Sequence, residues 1–372
     1  MSKSAKINGV IPILMNKDFQ HLNVVEIASV LAGPSVGLFF AEMGASVVKI
    51  ENKASGGDVT RSWKLPTENQ ASTYSAYFAS VNWNKTSRFL DLADKNDKEE
   101  LMRLIEKSDV LIVNFKNGDA EKFGLAYKDL KIVNEQLIYA EISGFGEDND
   151  RVAYDLILQA ETGFMSMNGT PNSGPVKMPI ALIDLLAGHQ LKEGILTALY
   201  NRDAKNQGGC RVSVSLYNAA VASLVNQATN WLMGNKIPQR IGSIHPNIAP
   251  YGEFFTTKDN ITITFAIGSD KQFEKLCSVL NLNDLVHHPQ FSTNQIRVLN
   301  RVSLASFLQD AVGSRISTEL IAKLDLLFVP VGRIKNLQEV FEDQAAKELI
   351  LEENVDGNVS KRPKTVVFHL SS

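Results

Sequence analysis

Cysteine is almost missing from this 372-residue chain: Cys210 and Cys277 stand far apart, and there are no others. Two thiols at that spacing exclude a disulfide framework and form no metal-ligand pattern, which fits a reducing compartment. An excess of basic charge is missing too. Lys and Arg number 38 against 41 Asp and Glu, a net charge of −3, so the footprint of a nucleic-acid partner is not there. No apolar run approaches the roughly 20 residues that a membrane span needs. The short apolar patch from Gly9 to Met15 follows Lys3 and Lys6 and is broken by Asn16, Lys17 and Asp18. No small-residue cleavage site follows, so it reads as an extension or an extra strand rather than a leader. Internal repeats and low-complexity tracts are lacking as well. What remains is an ordinary folded protein, expected in the cytoplasm.

What the chain does have is alternation. Short β-branched runs at Val24 to Ala28, Ser46 to Glu51, Arg88 to Leu92, Val110 to Asn114 and Leu137 to Ile142 read as strands. Between them Pro34 to Met43, Lys98 to Lys107 and Tyr127 to Glu135 read as helices, the first with Pro in its opening turn and Gly44 as its stop. This order predicts an α/β fold with a mostly parallel sheet covered on both faces. After Gly144 the character changes. Helices are expected over Tyr154 to Met165, Leu185 to Asn201 and, as one long element, Leu216 to Met233, with a strand at Cys210 to Ser215. A hairpin is expected around Lys258-Asp259-Asn260, then further helices, a strand near Leu327 to Ile334 and a helix near Leu337. The length favours two domains.

Glu51 ends the second strand where a ribose-binding acid would sit in a dinucleotide site. The loop Ser29-Val30-Leu31-Ala32-Gly33-Pro34 is nevertheless not GxGxxG. The three close backbone approaches that a pyrophosphate turn requires are not provided. A helix start there can still hold an anionic or carbonyl group.

Several blocks, in order, carry a more specific signal. They are Val24-Val25-Glu26-Ile27-Ala28, Val30 to Pro34, Ala41-Glu42-Met43-Gly44-Ala45 and Val48-Lys49-Ile50-Glu51. Gly56-Gly57-Asp58-Val59-Thr60-Arg61, Asn84-Lys85, Asp109 to Phe115 and Lys122-Phe123-Gly124-Leu125 follow. Gly144-Phe145-Gly146, Tyr154 to Ala160, Val329-Pro330-Val331-Gly332 and Glu339-Val340-Phe341 complete the series. Together they resemble the class III CoA-transferases over His21 to Leu370.

The resemblance implies a large Rossmann-like domain (21–215) with a parallel sheet, a linker helix (216–235) and a smaller α+β domain (236–335). A return segment toward the large domain (336–372) would follow, with an N-terminal extension (1–20) in front. It also implies an interlocked homodimer. The family continues past the segment Pro363 to Phe368 with a helical tail, so an end at Ser372 implies a missing contact. The implied reaction moves coenzyme A from an acyl-CoA to a carboxylic acid through an aspartyl anhydride and an aspartyl-CoA thioester. Coenzyme A is then substrate, with no tightly bound cofactor and no metal.

By the same resemblance Asp184, in Pro179-Ile180-Ala181-Leu182-Ile183-Asp184, is the nucleophile, its ionised form favoured by amides at a helix start. The residue also suits a plain helix N-cap. Tyr154 stands where the racemases of the superfamily carry a proton-shuttling histidine, and a phenol is a poor base near neutrality. That argues for transfer over an acyl-CoA racemase or epimerase; a non-catalytic CoA-binding protein is the third reading. The coenzyme A contacts map to Val30, Lys53, Lys85, Asn114, Phe115, Lys122 and Arg151, the cations as phosphate partners. Leu31 replaces a glutamine of the formyl-CoA transferases and implies a more apolar acyl pocket. His245, in a loop expected to close over the site, and Asp155 complete the pocket candidates.

Overall fold

The computed structural model describes residues 17–355 and 358–371, which fall into two compact units. The first comprises the chain up to Met165, Lys177–Pro238 and the segment from Glu348 onward; the second comprises Ser166–Val176 and Gln239–Lys347. The expected N-terminal extension lies outside the described residues over positions 1–16.

In the first unit, strands β1 (Asn23–Ile27), β2 (Ser46–Asn52), β3 (Thr86–Leu90), β4 (Val110–Val113), β5 (Ile138–Ser143) and β6 (Arg211–Ser215) form one sheet. Its order is β3-β2-β1-β4-β5-β6 and every pairing is parallel. Central strands that are covered on both faces must be apolar throughout. β4, Val-Leu-Ile-Val, is buried at every position. The crossovers include α1 (Ala32–Glu42), α2 (Ala76–Asn82), α3 (Lys95–Glu106), α4 (Asp119–Phe123) and α5 (Tyr127–Val133). α6 (Asp155–Glu161), the one-turn α7 (Phe164–Met167) and α8 (Leu182–Lys205) precede β6. α8 buries Ile183, Ala187, Leu191 and Ile195 at four-residue spacing. That stripe packs into the same core as Val36 and Phe40 of α1.

Two expected helices are interrupted. The stretch Tyr154 to Met165 breaks at Gly163, whose φ of 90° leaves the right-handed region. The expected long helix is two: α9 (Leu216–Ala222) and α10 (Val225–Gly234). The Ser223 hydroxyl donates back to Ala219 O at 2.7 Å, and Val225 takes a φ of 37°. A serine that bonds the preceding turn weakens helix continuation, and the backbone at 225 ends it.

The second unit holds a three-stranded antiparallel sheet of β7 (Tyr251–Thr256), β8 (Thr262–Ala266) and β9 (Val331–Arg333), in that order. The hairpin turns at Asn260, with φ 60°. The unit also contains α11 (Asp270–Leu280), α12 (Asn294–Leu299), α13 (Arg301–Gly313), α14 (Ser317–Leu326), α15 (Leu337–Val340) and α16 (Gln344–Lys347). Phe255, Phe265, Phe273, Leu308 and Leu324 belong to its separate core. The chain then returns to the first unit with an antiparallel pair, β10 (Ile350–Val355) and β11 (Asn358–Pro363). No described helix is long and apolar enough to cross a membrane.

Candidate active site

β1, β4, β5 and β6 all end at the same edge of the sheet. Between β1 and β4 the strand order reverses, and open α/β sheets bind ligands in the crevice at such a point. Here the loops after these strands enclose a cavity of about 810 Å³. Small-molecule sites are commonly roughly 300–1,000 Å³. Val30, Leu31, Asn114, Phe115, Arg151, Tyr154 and Asp184 line it, so seven of the residues marked in the sequence meet in one place.

Asp184 is not an N-cap. α8 starts at Leu182 with Ala181 before it, which puts Asp184 in the first turn. The capping is done from elsewhere: Asp155 Oδ1 accepts from Ile183 N at 2.7 Å, and its Oδ2 accepts from Gln159 Nε2 at 2.7 Å. Gln159 Oε1 in turn accepts from Met178 N at 2.8 Å. Asp155 therefore takes an amide that the expected mechanism gives to Asp184. Among the described residues no donor reaches the Asp184 carboxylate. Only 7% of the residue is exposed. Burial, with the charge of Asp155 beside it, pushes its pKa up to about 7. The helix start does not hold this group firmly ionised; at neutral pH it is poised between its two forms. A desolvated carboxylate titrating near neutrality, open to a cavity, is a candidate nucleophile on physical grounds.

Tyr154 precedes α6 and lines the same cavity with its ring largely exposed. Gly144 and Gly146 line it as well, the latter at φ 110°, a backbone open to glycine. Arg151 pairs with Glu161 and lies over the Phe145 ring at 4.2 Å. Asn114 spends its amide on the neighbouring loop: Oδ1 accepts from Ser29 N at 3.1 Å, and Nδ2 donates to Ser29 O at 2.9 Å.

The remaining marked residues lie elsewhere. Lys85 Nζ is buried and bound to Glu26 Oε2 at 2.7 Å, Pro34 O at 2.8 Å and Asn82 Oδ1 at 3.1 Å. An ammonium so engaged has no valence left for a phosphate. Lys53 is an exposed lysine 3.8 Å from Asp97. Lys122 is exposed beside Phe123 and does not line the cavity. His245 belongs to the second unit, where its Nδ1 accepts from Asn247 N at 3.1 Å. Its loop is anchored from behind: Arg301 donates to His245 O and Ile248 O, Arg297 to Ala249 O, and Asn294 to Asn247 O.

Three cations at the rim were not anticipated: Lys116, Lys128 and Arg211. Arg211 pairs with Glu141 and Glu147. No ion pair engages Lys116 or Lys128 among the described residues. They come from a loop, the helix α5 and the strand β6, which only the topology unites, so no spacing in the sequence marks them. A second cavity, of about 740 Å³, lies around Arg61, Tyr74, Lys85 and Glu353. Its strongest cations are already paired, Arg61 with Glu51 and Lys85 with Glu26. Among the described residues no cluster of side chains is arranged to hold a metal ion.

Known proteins resemble this chain over most of its length. The family model described as CoA-transferase family III matches residues 19–370. The succinate–glutarate CoA-transferase of Agrobacterium fabrum is 35% identical over 328 residues, covering 87% of this chain and 81% of that protein. The succinyl-CoA:glutarate CoA-transferase of Mus musculus is 33% identical over 334 residues, covering 88% and 74%. Among solved structures, a CAIB/BAIF family protein from Brucella suis superposes with a TM-score of 0.82 at 35% identity, covering 95% of this chain and 93% of that one. The chain therefore belongs to CoA-transferase family III, and it is an enzyme that transfers coenzyme A between an acyl-CoA and a carboxylate.

Proposed function

We propose that the transfer runs through Asp184, with small dicarboxylic acids as the acids exchanged. One observation carries the first part: a buried carboxylate without a hydrogen-bond donor faces the cavity at the sheet's switch point. An Asp184 oxygen attacks the thioester carbonyl of the donor; the C–S bond breaks, giving a mixed anhydride and CoA thiolate. The thiolate attacks the Asp184 acyl carbon, releasing the donor acid and leaving an aspartyl-CoA thioester. The acceptor carboxylate repeats the sequence in reverse, and Asp184 ends as a free carboxylate. No net proton is taken up, and one hard displacement becomes several easier ones.

Developing oxyanions need donors in a dry site, and the loop backbone at Gly144 and Gly146 offers them. Val30 and Phe115 form the apolar side of the coenzyme A cradle, with Asn114 holding the Ser29 loop beside them; Lys116 and Lys128 supply its phosphate side, next to Arg151 and Arg211, which are already paired with carboxylates. Leu31 lies at the acyl end. Dicarboxylic acids are the choice because the Agrobacterium and mouse relatives are named for succinate or succinyl-CoA and glutarate. A homodimer belongs to the same reading, supported by Trp231, Leu232 and Met233 standing exposed on α10; sedimentation velocity tests it.

The decisive experiment incubates the enzyme with succinyl-CoA and hydroxylamine, followed by peptide mass spectrometry. The expected result is loss of activity with a hydroxamate on Asp184, and a drop of roughly 10³-fold or more in turnover for Asp184→Asn. An unmodified Asp184 in inactivated enzyme, or an active Asp184→Asn, overturns it.

A further inference from the structure

Val30 has a φ of 70°, in the left-handed region. A β-branched residue is a true outlier there, and such strain persists only where the surroundings over-determine it. The surroundings here are a set of side chains that grip the backbone from Ala28 to Val30. Lys49 Nζ donates to Ala28 O at 2.6 Å. Asn114 holds both backbone polar groups of Ser29. The Asp58 carboxylate accepts from Val30 N, at 3.2 Å to Oδ2 and 3.4 Å to Oδ1.

Asp58 is itself buried and fixed. Its Oδ1 accepts from Thr60 N at 3.0 Å and Thr60 Oγ1 at 2.8 Å, and its Oδ2 lies 3.1 Å from Lys49 Nζ. Lys49 is shared with Glu26 at 3.0 Å, and Glu26 also takes Lys85 at 2.7 Å. Two anions and two cations thus balance beneath the loop. Gly37 on α1 leaves the room: a Cβ there would collide with the Glu26 carboxylate. The loop so held, Ser29-Val30-Leu31, forms one wall of the cavity that Asp184 faces.

We propose that Asp58 is a positioning residue for the transfer reaction, fixing Val30 in its left-handed conformation so that residues 29–31 keep the wall of the coenzyme A site. The proposal rests on the reading of this cavity as the coenzyme A site. Asp58 touches no substrate in it; its effect passes through the Val30 amide. Asparagine at 58 offers one acceptor where the carboxylate offers two. With Oδ1 on Thr60, its Nδ2 faces the Val30 N–H and the Lys49 ammonium, donor against donor.

The test is a kinetic split with rescue, in the full-length enzyme with succinyl-CoA and glutarate. Asp58→Asn is expected to raise KM for the acyl-CoA about tenfold while kcat changes less than about threefold, with KM for glutarate little altered. Val30→Gly in the same chain is expected to recover most of that loss, measured against Val30→Gly alone because the cradle then also lacks the Val30 side chain; glycine takes a positive φ unaided. A purely structural role for Asp58 predicts no such recovery. If Asp58→Asn does not fold, Lys49→Met with Asp58→Asn removes one charge of each sign, leaves Glu26 paired with Lys85, and is read the same way. A folded variant with unchanged KM, or a raised KM that glycine fails to recover, overturns the clamp while Asp184→Asn remains inactive. Full turnover by Asp184→Asn instead overturns the reading of the cavity.

Discussion

Ionising Asp184 costs the folded protein stability, because the carboxylate is buried beside the charge of Asp155 and no described residue donates to the charge that forms. Its folded pKa, about 7, lies above the ordinary carboxylate value. The sign follows: the protein is penalised progressively as pH rises from about 4 to about 7, and the penalty is complete above that. Asp184→Asn should therefore stabilise the enzyme, and by roughly 2 kcal/mol more at pH 8 than at pH 5. Urea denaturation at the two pH values measures it; equal effects at both would mean the carboxylate is not perturbed in the fold. Activity has the opposite dependence, since attack needs the anion, so kcat/KM for the acyl-CoA, which reports the free enzyme, should rise through an apparent pKa near 7. Asp155 contributes to that value through its own negative charge. Asp155→Asn keeps an acceptor for Ile183 N and removes the charge, and the acid limb of the pH–rate profile should shift down by about one unit. A limb that stays in place assigns the raised pKa to burial alone. The sequence identified both aspartates but gave the helix amide to Asp184, because which of them takes it depends on how α6 meets α8.

At the scale of elements, the periods were legible and the interruptions were not. The six strands of the large sheet follow from β-branched runs, and α8 from its four-residue stripe. The split of α9 from α10 is invisible to pattern, since Ser223 and Val225 both suit a helix. The cations Lys85 and Lys116 show the same limit: Lys85, beside a motif, reads as a phosphate ligand, yet the fold buries it against Glu26 and brings Lys116, which was not read as a ligand, to the cavity rim. The C-terminal pair β10–β11 is held by Glu353, which accepts from Asn84 N at 2.9 Å, and by Glu42 at the end of α1. Glu42 accepts from Val366 N at 2.7 Å, from Thr365 N and from Arg362, whose guanidinium burial lowers to about 10. Both partners of that ion pair are almost wholly buried. Removing one charge of a buried pair strands the other, at a cost of about 3–5 kcal/mol. Glu42→Ala should lose that much in urea denaturation and should expose the chain beyond Glu348 to proteolysis. A loss below about 1 kcal/mol would show that the segment is held chiefly by Leu351 and Val366 in the core.

For the molecule as a whole, a mostly parallel sheet covered on both faces could be anticipated, but the choice of cavity could not. Two cavities of similar volume open within the first unit. Topology favours the one at the β1–β4 reversal, where strand ends present loop amides and rim lysines to a ligand. The other, beneath Arg61, Tyr74 and Glu353, has its main charges neutralised by Glu51 and Glu26. Coenzyme A carries several negative charges, and an ammonium already bound to a carboxylate has little attraction left to offer. Hydrogen exchange with and without coenzyme A separates the two. Protection is expected over residues 29–31, 114–120 and 144–152, with 56–74 and 353–355 unchanged. Added salt should weaken binding because the rim cations are exposed. Protection centred on 56–74 would move the coenzyme A site to the opposite cavity and leave Asp184 without a thioester to attack.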